Sequence, residues 1–175
     1  FSKKPLNSAA DMKGLKWRAY SPATAKIAEL VNAQPVTVQV AELSQAIATG
    51  VVDSMMTSGS TGYDTKTYES LKYFYDTQAW LPKNAVLVNK KAFDALDKPT
   101  QDAVLKAAAD AEVRGLAESK KANNVSLDQL RNGGMQIMPP PAQLTSDLKK
   151  VGDVMLKEWL EKAGPEGKAL VDAFN

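Results

Sequence analysis

The sequence of 175 residues contains neither cysteine nor histidine. Without thiol and imidazole groups it cannot form a disulfide, a thiol nucleophile, a serine triad built on histidine or a structural zinc site of the usual kind. Several large enzyme classes are therefore excluded. The lack of cysteine fits a reducing cytosol and a periplasm equally well, so composition leaves the compartment open.

Long apolar runs and clustered basic residues are also missing. Apolar runs such as AVLV (85–88) are only a few residues long, whereas a membrane helix needs about 20. The net charge is +2, and the lysines are scattered among acidic residues instead of forming a basic stripe. The sequence therefore predicts a globular chain that is not itself membrane-inserted and does not bind nucleic acid.

Arginine is scarce in this chain. The first 113 residues contain twelve lysines but a single arginine, Arg18. A guanidinium group is a flat fork of donors that matches a carboxylate with two parallel hydrogen bonds, whereas an ammonium group is a mobile point charge. Arg18 is thus a candidate carboxylate anchor, and on composition alone a surface or structural ion pair stays the alternative.

Strand and helix patterns alternate around Arg18. GLKWRAY (14–20) alternates as a strand does and places Arg18 and Tyr20 on one face. The segments that follow predict, in order, a helix starting at Ser21-Pro22, a strand in PVTVQV (35–40), a helix in AELSQAIAT (41–49) and a strand in VVDSMM (51–56). This order predicts an α/β fold with a largely parallel sheet. Ligands bind beyond the carboxyl ends of such strands, where Arg18, Tyr20 and the turn TSGSTG (57–62) fall.

The rest of the chain predicts a buried strand and long helices. AVLVN (85–89) has the apolar run of a buried strand, and Lys98-Pro99 opens a long helix that NGG (132–134) ends. MQIM (135–138) predicts a short strand, and two helices are expected around 148–160 and 166–174. The aromatic segment 63–78 gives mixed signals and stays unassigned.

Chemical motifs other than Arg18 are weak. TSGSTG lacks the GK[ST] ending and the GxGxxG spacing of phosphate-binding loops, so nucleotide binding is not expected. Four acidic residues lie among lysines and are interpreted as surface charges: Asp94, Asp97, Asp110 and Glu112. Asp53 is expected to cap the turn that follows it, in preference to holding a ligand.

Three segments occur in the order of a known family. DMKGLKWR (11–18), AQPVT (33–37) and LSQAIATGVVD (43–53) resemble the series DLKGLKIR, GA-P and ALQTGVVDG of solute-binding proteins of tripartite ATP-independent periplasmic (TRAP) transporters, DctP type. VNKKAFDALDKPTQ (88–101) looks like the strand-to-long-helix segment of the same family. The resemblance runs through nearly all of the chain.

The resemblance implies a two-lobed protein of the periplasmic binding protein type II-like α/β class, its lobes joined by long strands and a long helix. This chain would supply the C-terminal portion: mainly the ligand-binding lobe in 1–97, the long helix in 98–131, and a strand and helices in 132–175. The family implies a periplasmic location and no catalysis. It also implies that a small organic carboxylate is captured and handed to the TRAP membrane permease.

The resemblance also assigns site residues. Arg18 matches the arginine that clamps the carboxylate of the transported acid. Thr57 falls where many relatives carry a ligand-contacting asparagine, because the family's DGQEN is DSMMT here (53–57). Asn84 falls near a ligand-facing polar position. The expected ligand-binding residues are Arg18, Tyr20, Thr57, Trp80 and Asn84.

A metal site is not expected. Some keto-acid-binding relatives place a metal beside the ligand with a Trp-Glu pair, and WLPKN (80–84) has the tryptophan without the glutamate. Trp80 is instead expected to form an apolar wall. No other cofactor is expected.

Two other classes of function stay open. An enzyme on the same sheet would use Asp53 and the turn TSGSTG, although no suitable base is visible near a nucleophile. A structural or interaction module would hold Arg18 in an internal ion pair. For a binding protein, Met55, Met56 and Trp80 favour an apolar or aromatic acid over a sugar acid with many hydroxyls.

Overall fold

Helices and short parallel strands alternate in the computed structural model, which describes residues 1–79 and 85–174. The strands are β1 (Lys16–Ala19), β2 (Gln34–Thr37), β3 (Ser54–Met55), β4 (Tyr73–Tyr75) and β5 (Gln136–Met138). The helices are α1 (Pro22–Leu30), α2 (Leu43–Ala48), α3 (Gly59–Asp64), α4 (Lys90–Asp94), α5 (Lys98–Asn132) and α6 (Ala142–Phe174). The predicted α/β class and the strand–helix order through β3 are confirmed, although β2 and β3 are shorter than their apolar runs suggest.

β1 is the centre of a parallel three-stranded sheet. β2 and β3 flank it, and the register pairs Arg18 with Val36 on one side and with Met55 on the other. β4 and β5 form a second parallel pair. Ser2 connects the two groups, because it bridges both β3 and β4 in antiparallel fashion. The carboxyl ends of β1, β2 and β3 thus point to the same edge.

The turn between β1 and α1 is fixed by a reciprocal cap. The Ser21 hydroxyl accepts a hydrogen bond from the backbone N–H of Thr24 at 3.2 Å, and Pro22 takes the first helical position. The Thr24 hydroxyl accepts in return from the backbone N–H groups of Ser21 and Tyr20, at 3.0 and 3.1 Å. The cap therefore also fixes the backbone of Tyr20 directly after β1.

Two apolar clusters hold the elements together. One packs α2 and the last turns of α5 against β3 and β4, and it includes the fully buried Leu43 and Leu130. The other packs α1 and α6 against β1, and it includes Trp17, Ile27 and Leu144. Arg18 lies between two buried neighbours on β1, Trp17 and Ala19, and Trp17 anchors the strand in the second cluster.

α5 and α6 extend beyond the sheet. α5 begins after Asp97, whose carboxylate accepts from the Thr100 backbone N–H at 2.9 Å, and it covers the predicted long helix. Residues 102–125 of α5 are exposed. α6 is broken at Gly164 (φ 64°, ψ −151°), so the two predicted C-terminal helices are confirmed as the segments on either side of it. Within 1–79 and 85–174, no helix has both the length and the apolar content to cross a bilayer.

Residues 85–89 are not the buried strand that their apolar run predicts. They have no regular secondary structure, and the side chains of Val86, Leu87 and Val88 are 102%, 86% and 66% exposed. A strand needs a neighbour to pair its backbone N–H and C=O groups, and none of the described strands lies beside this segment. An apolar run alone cannot supply that partner.

Candidate ligand-binding site

Arg18 is buried at the carboxyl edge of the sheet. Its side chain is only 4% exposed. The Nε–H donates to the backbone carbonyl of Val38 at 2.9 Å, and the guanidinium carbon lies 4.7 Å from the centroid of the Tyr20 ring. The predicted adjacency of Arg18 and Tyr20 is therefore a stacking contact.

The charge of Arg18 has no anionic partner within residues 1–79 and 85–174. The salt bridges there join other residues, and no carboxylate lies within 4.0 Å of the guanidinium group. Burial lowers the pKa of Arg18 from its ordinary value, and Tyr20 opposes the shift. Because a buried cation without an anion is unfavourable, this position favours an incoming carboxylate. The internal ion pair of the structural-module hypothesis finds no acidic residue here.

The Val38 carbonyl that accepts from Arg18 is held in place by packing and by a backbone hydrogen bond. The Val38 side chain is buried in the cluster around Leu43, and the Val38 N–H donates to the carbonyl of Ala19 at 3.3 Å. The carbonyl of Val38 is thus fixed at the end of β2, beside β1. The sequence carried no signal for this contact, since every residue has a carbonyl and only the sheet register selects this one.

Thr57 lies on the same edge, two residues beyond the end of β3, and is partly exposed. The neighbouring Ser58 is occupied: its hydroxyl accepts from the Thr61 backbone N–H at 3.1 Å and begins α3. The hydrogen bonds found within the described ranges do not involve the Thr57 side chain, which leaves its hydroxyl free for a ligand. Thr57 therefore follows β3 at the edge where Tyr20 follows β1, and its contact with a ligand stays a prediction.

Asp53 lies at the opposite edge. It precedes β3, and its backbone N–H donates to the carbonyl of Lys16 at 3.0 Å. Its Oδ1 is buried and makes no hydrogen bond with the described part of the chain. The prediction that Asp53 caps the following turn is wrong, because Ser58 caps α3 instead. The enzyme hypothesis loses its geometry too, since β3 separates Asp53 from the hydroxyl-rich turn.

Of the remaining predicted residues, the structure describes Met55 and Met56. Met55 pairs with Arg18 at the carboxyl edge, and its side chain is 1% exposed and packs in the core, so its influence on the choice of ligand stays a prediction. Met56 is partly buried against the other cluster. Trp80 and Asn84 lie outside the described residues.

Comparison with known proteins identifies the family. A profile described as "Bacterial extracellular solute-binding protein, family 7" (DctP) matches residues 1–163. The chain belongs to this family. Its members and structural neighbours are solute-binding receptors and not enzymes, as the resemblance implied.

Solved structures of TRAP receptors share this fold. DctP6, an extracytoplasmic solute receptor of Bordetella pertussis that binds pyroglutamic acid, is 63% identical with a TM-score of 0.96, covering 99% of this chain and 58% of that one. A marine metagenome receptor specific for pyroglutamate is 40% identical with a TM-score of 0.94, covering 99% and 57%. The α/β fold of these periplasmic binding proteins is thus confirmed for this chain.

Curated relatives are more distant. The 2,3-diketo-L-gulonate-binding periplasmic protein YiaO of Escherichia coli is 24% identical over 181 residues, which is 99% of this chain and 53% of that protein. The chain therefore spans about half the length of such relatives. What the longer proteins bind and contact is a matter of proposal for this one.

Proposed function

We propose that the protein is a periplasmic receptor that captures a small organic carboxylate and delivers it to a TRAP membrane permease. The observation that carries the proposal is Arg18, a buried guanidinium group at the carboxyl edge of a parallel sheet. It has no carboxylate partner among the residues that the structure describes. A bound carboxylate would supply the missing charge with two charge-assisted hydrogen bonds.

Pyroglutamate is the proposed ligand. Both similar receptors above, at 63% and 40% identity, bind it. The molecule carries one carboxylate, which suits one arginine fork, and a lactam with one N–H donor and one C=O acceptor. A hydroxyl such as that of Thr57 can donate or accept. We propose that Thr57, Trp80 and Asn84 contact the ring while Arg18 holds the carboxylate and Tyr20 flanks it.

Replacing Arg18 with lysine tests the proposal in the full-length protein that contains this sequence. Arg18→Lys keeps the charge but loses the fork, so pyroglutamate should bind about 10- to 100-fold more weakly, which corresponds to about 1.5–3 kcal/mol. Isothermal titration calorimetry measures this directly. A thermal-shift screen of other organic acids, run beside it, identifies the ligand if pyroglutamate gives no signal.

Arg131→Lys is the matched control. The substitution is the same, but Arg131 is exposed and pairs with Asp128 at 2.6 Å. Its replacement should leave affinity unchanged, because exposed ion pairs contribute little. If Arg18→Lys binds acids as tightly as Arg131→Lys does, the carboxylate is not held by Arg18 and the proposal fails.

A further inference from the structure

We infer that Tyr20 and the Val38 carbonyl are positioning groups that orient Arg18 so that only its Nη1–Nη2 edge receives the ligand carboxylate. The inference rests on the proposed function and adds two groups that hold the arginine and set the direction of approach. It follows from the two contacts that the guanidinium group makes at its Nε and at its face.

The first contact removes one of the two edges that can bind a carboxylate. A guanidinium group can pair with a carboxylate through Nη1 and Nη2, end-on, or through Nε and one Nη, side-on. In this structure the Nε–H of Arg18 is donated to Val38 at 2.9 Å. The side-on edge is therefore occupied by the protein, and end-on pairing remains.

The second contact fixes the plane of the group. The Tyr20 ring lies 4.7 Å from the guanidinium carbon, within the range of a cation–π interaction. Its backbone is itself held, because the Tyr20 N–H donates to the Thr24 hydroxyl in the cap of α1. A bond at Nε stops the fork from swinging, and a ring on its face limits twisting and excludes water. Together they preorganise the fork for a planar carboxylate.

Positioning differs from direct ligand contact in one measurable way. If Tyr20 acts through the plane of Arg18, removing the ring should matter only while a planar fork is present. An ammonium group has no plane to orient. The effect of a Tyr20 substitution should therefore shrink in the Arg18→Lys background, giving a non-additive double-mutant cycle.

The experiment measures pyroglutamate binding by calorimetry in the full-length protein with Tyr20→Leu, Tyr20→Phe, Arg18→Lys and the double variant Tyr20→Leu/Arg18→Lys. Tyr20→Leu should weaken binding about threefold to thirtyfold, as expected for loss of a partly desolvated cation–π contact. Tyr20→Phe keeps the ring and should stay within about twofold of wild type. In the Arg18→Lys background, Tyr20→Leu should cost less than about twofold.

Each other outcome overturns a specific statement. Equal losses from Tyr20→Leu in both backgrounds, or no loss in either, overturn the positioning role of Tyr20. A loss in Tyr20→Phe as large as that in Tyr20→Leu assigns the effect to the hydroxyl and also overturns it. Unchanged affinity in Arg18→Lys overturns the proposed function instead. If Tyr20→Leu does not fold, Tyr20→Met, which keeps much of the side-chain bulk without the ring, replaces it in the same cycle.

Discussion

Single residues decide how closely the elements approach one another, and Gly62 on α3 is the clearest example. A Cβ at Gly62 would overlap the ring of Phe1, which packs against Phe74 with ring centroids 4.6 Å apart. The absence of a side chain at Gly62 therefore lets the Phe1 ring pack directly against α3. The same reasoning does not apply to Gly115 in the middle of α5, where a Cβ would have nothing within 4 Å.

Gly62→Ala and Gly115→Ala should consequently have opposite effects on stability. Overpacking a buried site costs about 1–3 kcal/mol, so Gly62→Ala should lower the free energy of unfolding by that amount. Gly115→Ala replaces glycine in an exposed helix interior and should raise it by up to about 1 kcal/mol. Urea unfolding followed by circular dichroism compares the two. Similar effects from both changes would show that the Phe1 ring moves aside at little cost.

Arg18 and Tyr20 could be placed at the carboxyl edge of the sheet from sequence, because strand alternation and the cap at Ser21 are local signals. The partners of Arg18 could not. The Val38 carbonyl is chemically like any other, and only the pairing of β1 with β2 brings it to Nε. The predicted cap at Asp53 is wrong for a related reason: β3 covers just two residues of the predicted strand, so Asp53 precedes it and Ser58 makes the cap.

At the scale of elements, Asp147 ties α6 to the first turn of the chain. Its carboxylate accepts from the Ala9 backbone N–H at 3.2 Å and from the Gln143 side chain at 2.8 Å. The Ala9 hydrogen bond, more than the Gln143 and Lys150 side chains, lowers the pKa of Asp147 below its ordinary 3.8, against an opposing effect of burial. The ionised form is thus the one that the fold favours.

This tie should weaken in acid. Because the folded pKa of Asp147 lies below the unfolded value, the carboxylate stabilises the fold fully well above pH 3.8, and the effect is lost as the pH falls through the folded pKa. Wild type should be more stable than Asp147→Asn at neutral pH, and the gap should narrow below about pH 4. Chemical denaturation at a series of pH values measures it.

Asp153→Asn is the control for that series. Asp153 lies on the same helix and is exposed, and it makes no salt bridge among the pairs found in the described chain. Its replacement should follow wild type across the pH range. A gap for Asp147→Asn that stays constant into acid would mean that the contact stabilises through shape and not through charge.

Whole elements were predictable where local signals and tertiary partners agree. α5 was predicted almost to the residue, because Lys98-Pro99 and the glycines after Asn132 mark its ends in the sequence. Residues 85–89 were not, because a buried strand is defined by neighbours and the described sheet offers none. The hydrogen bonds of a helix such as α5 form within the segment, whereas those of a strand must be made with a neighbouring strand.

At the scale of the whole molecule, several large apolar side chains are exposed. Val86, Leu87 and Val88 are exposed before α4, and along α5 the same holds for Val104, Leu105, Val113 and Leu116. The matched receptor chains are longer, and this chain covers 58% of the first. We propose that the remaining part of the family architecture packs against these residues and forms the opposite wall of the ligand site.

Residues 1–175 alone should therefore bind pyroglutamate weakly or not at all. A closed site buries about 70–90% of a small ligand, whereas one wall leaves most of the ligand in water. Arg18 itself is buried in this chain, but the carboxylate would keep contact with water on its open side. The partly screened pair would then not offset the several kcal/mol of freedom that binding removes. Calorimetry on residues 1–175, beside a family-length receptor that contains them, measures the difference, and binding of a hydrophobic dye should be stronger for the shorter chain. Equal affinity in the two would mean that one wall completes the site, and the exposed apolar residues would then need another partner.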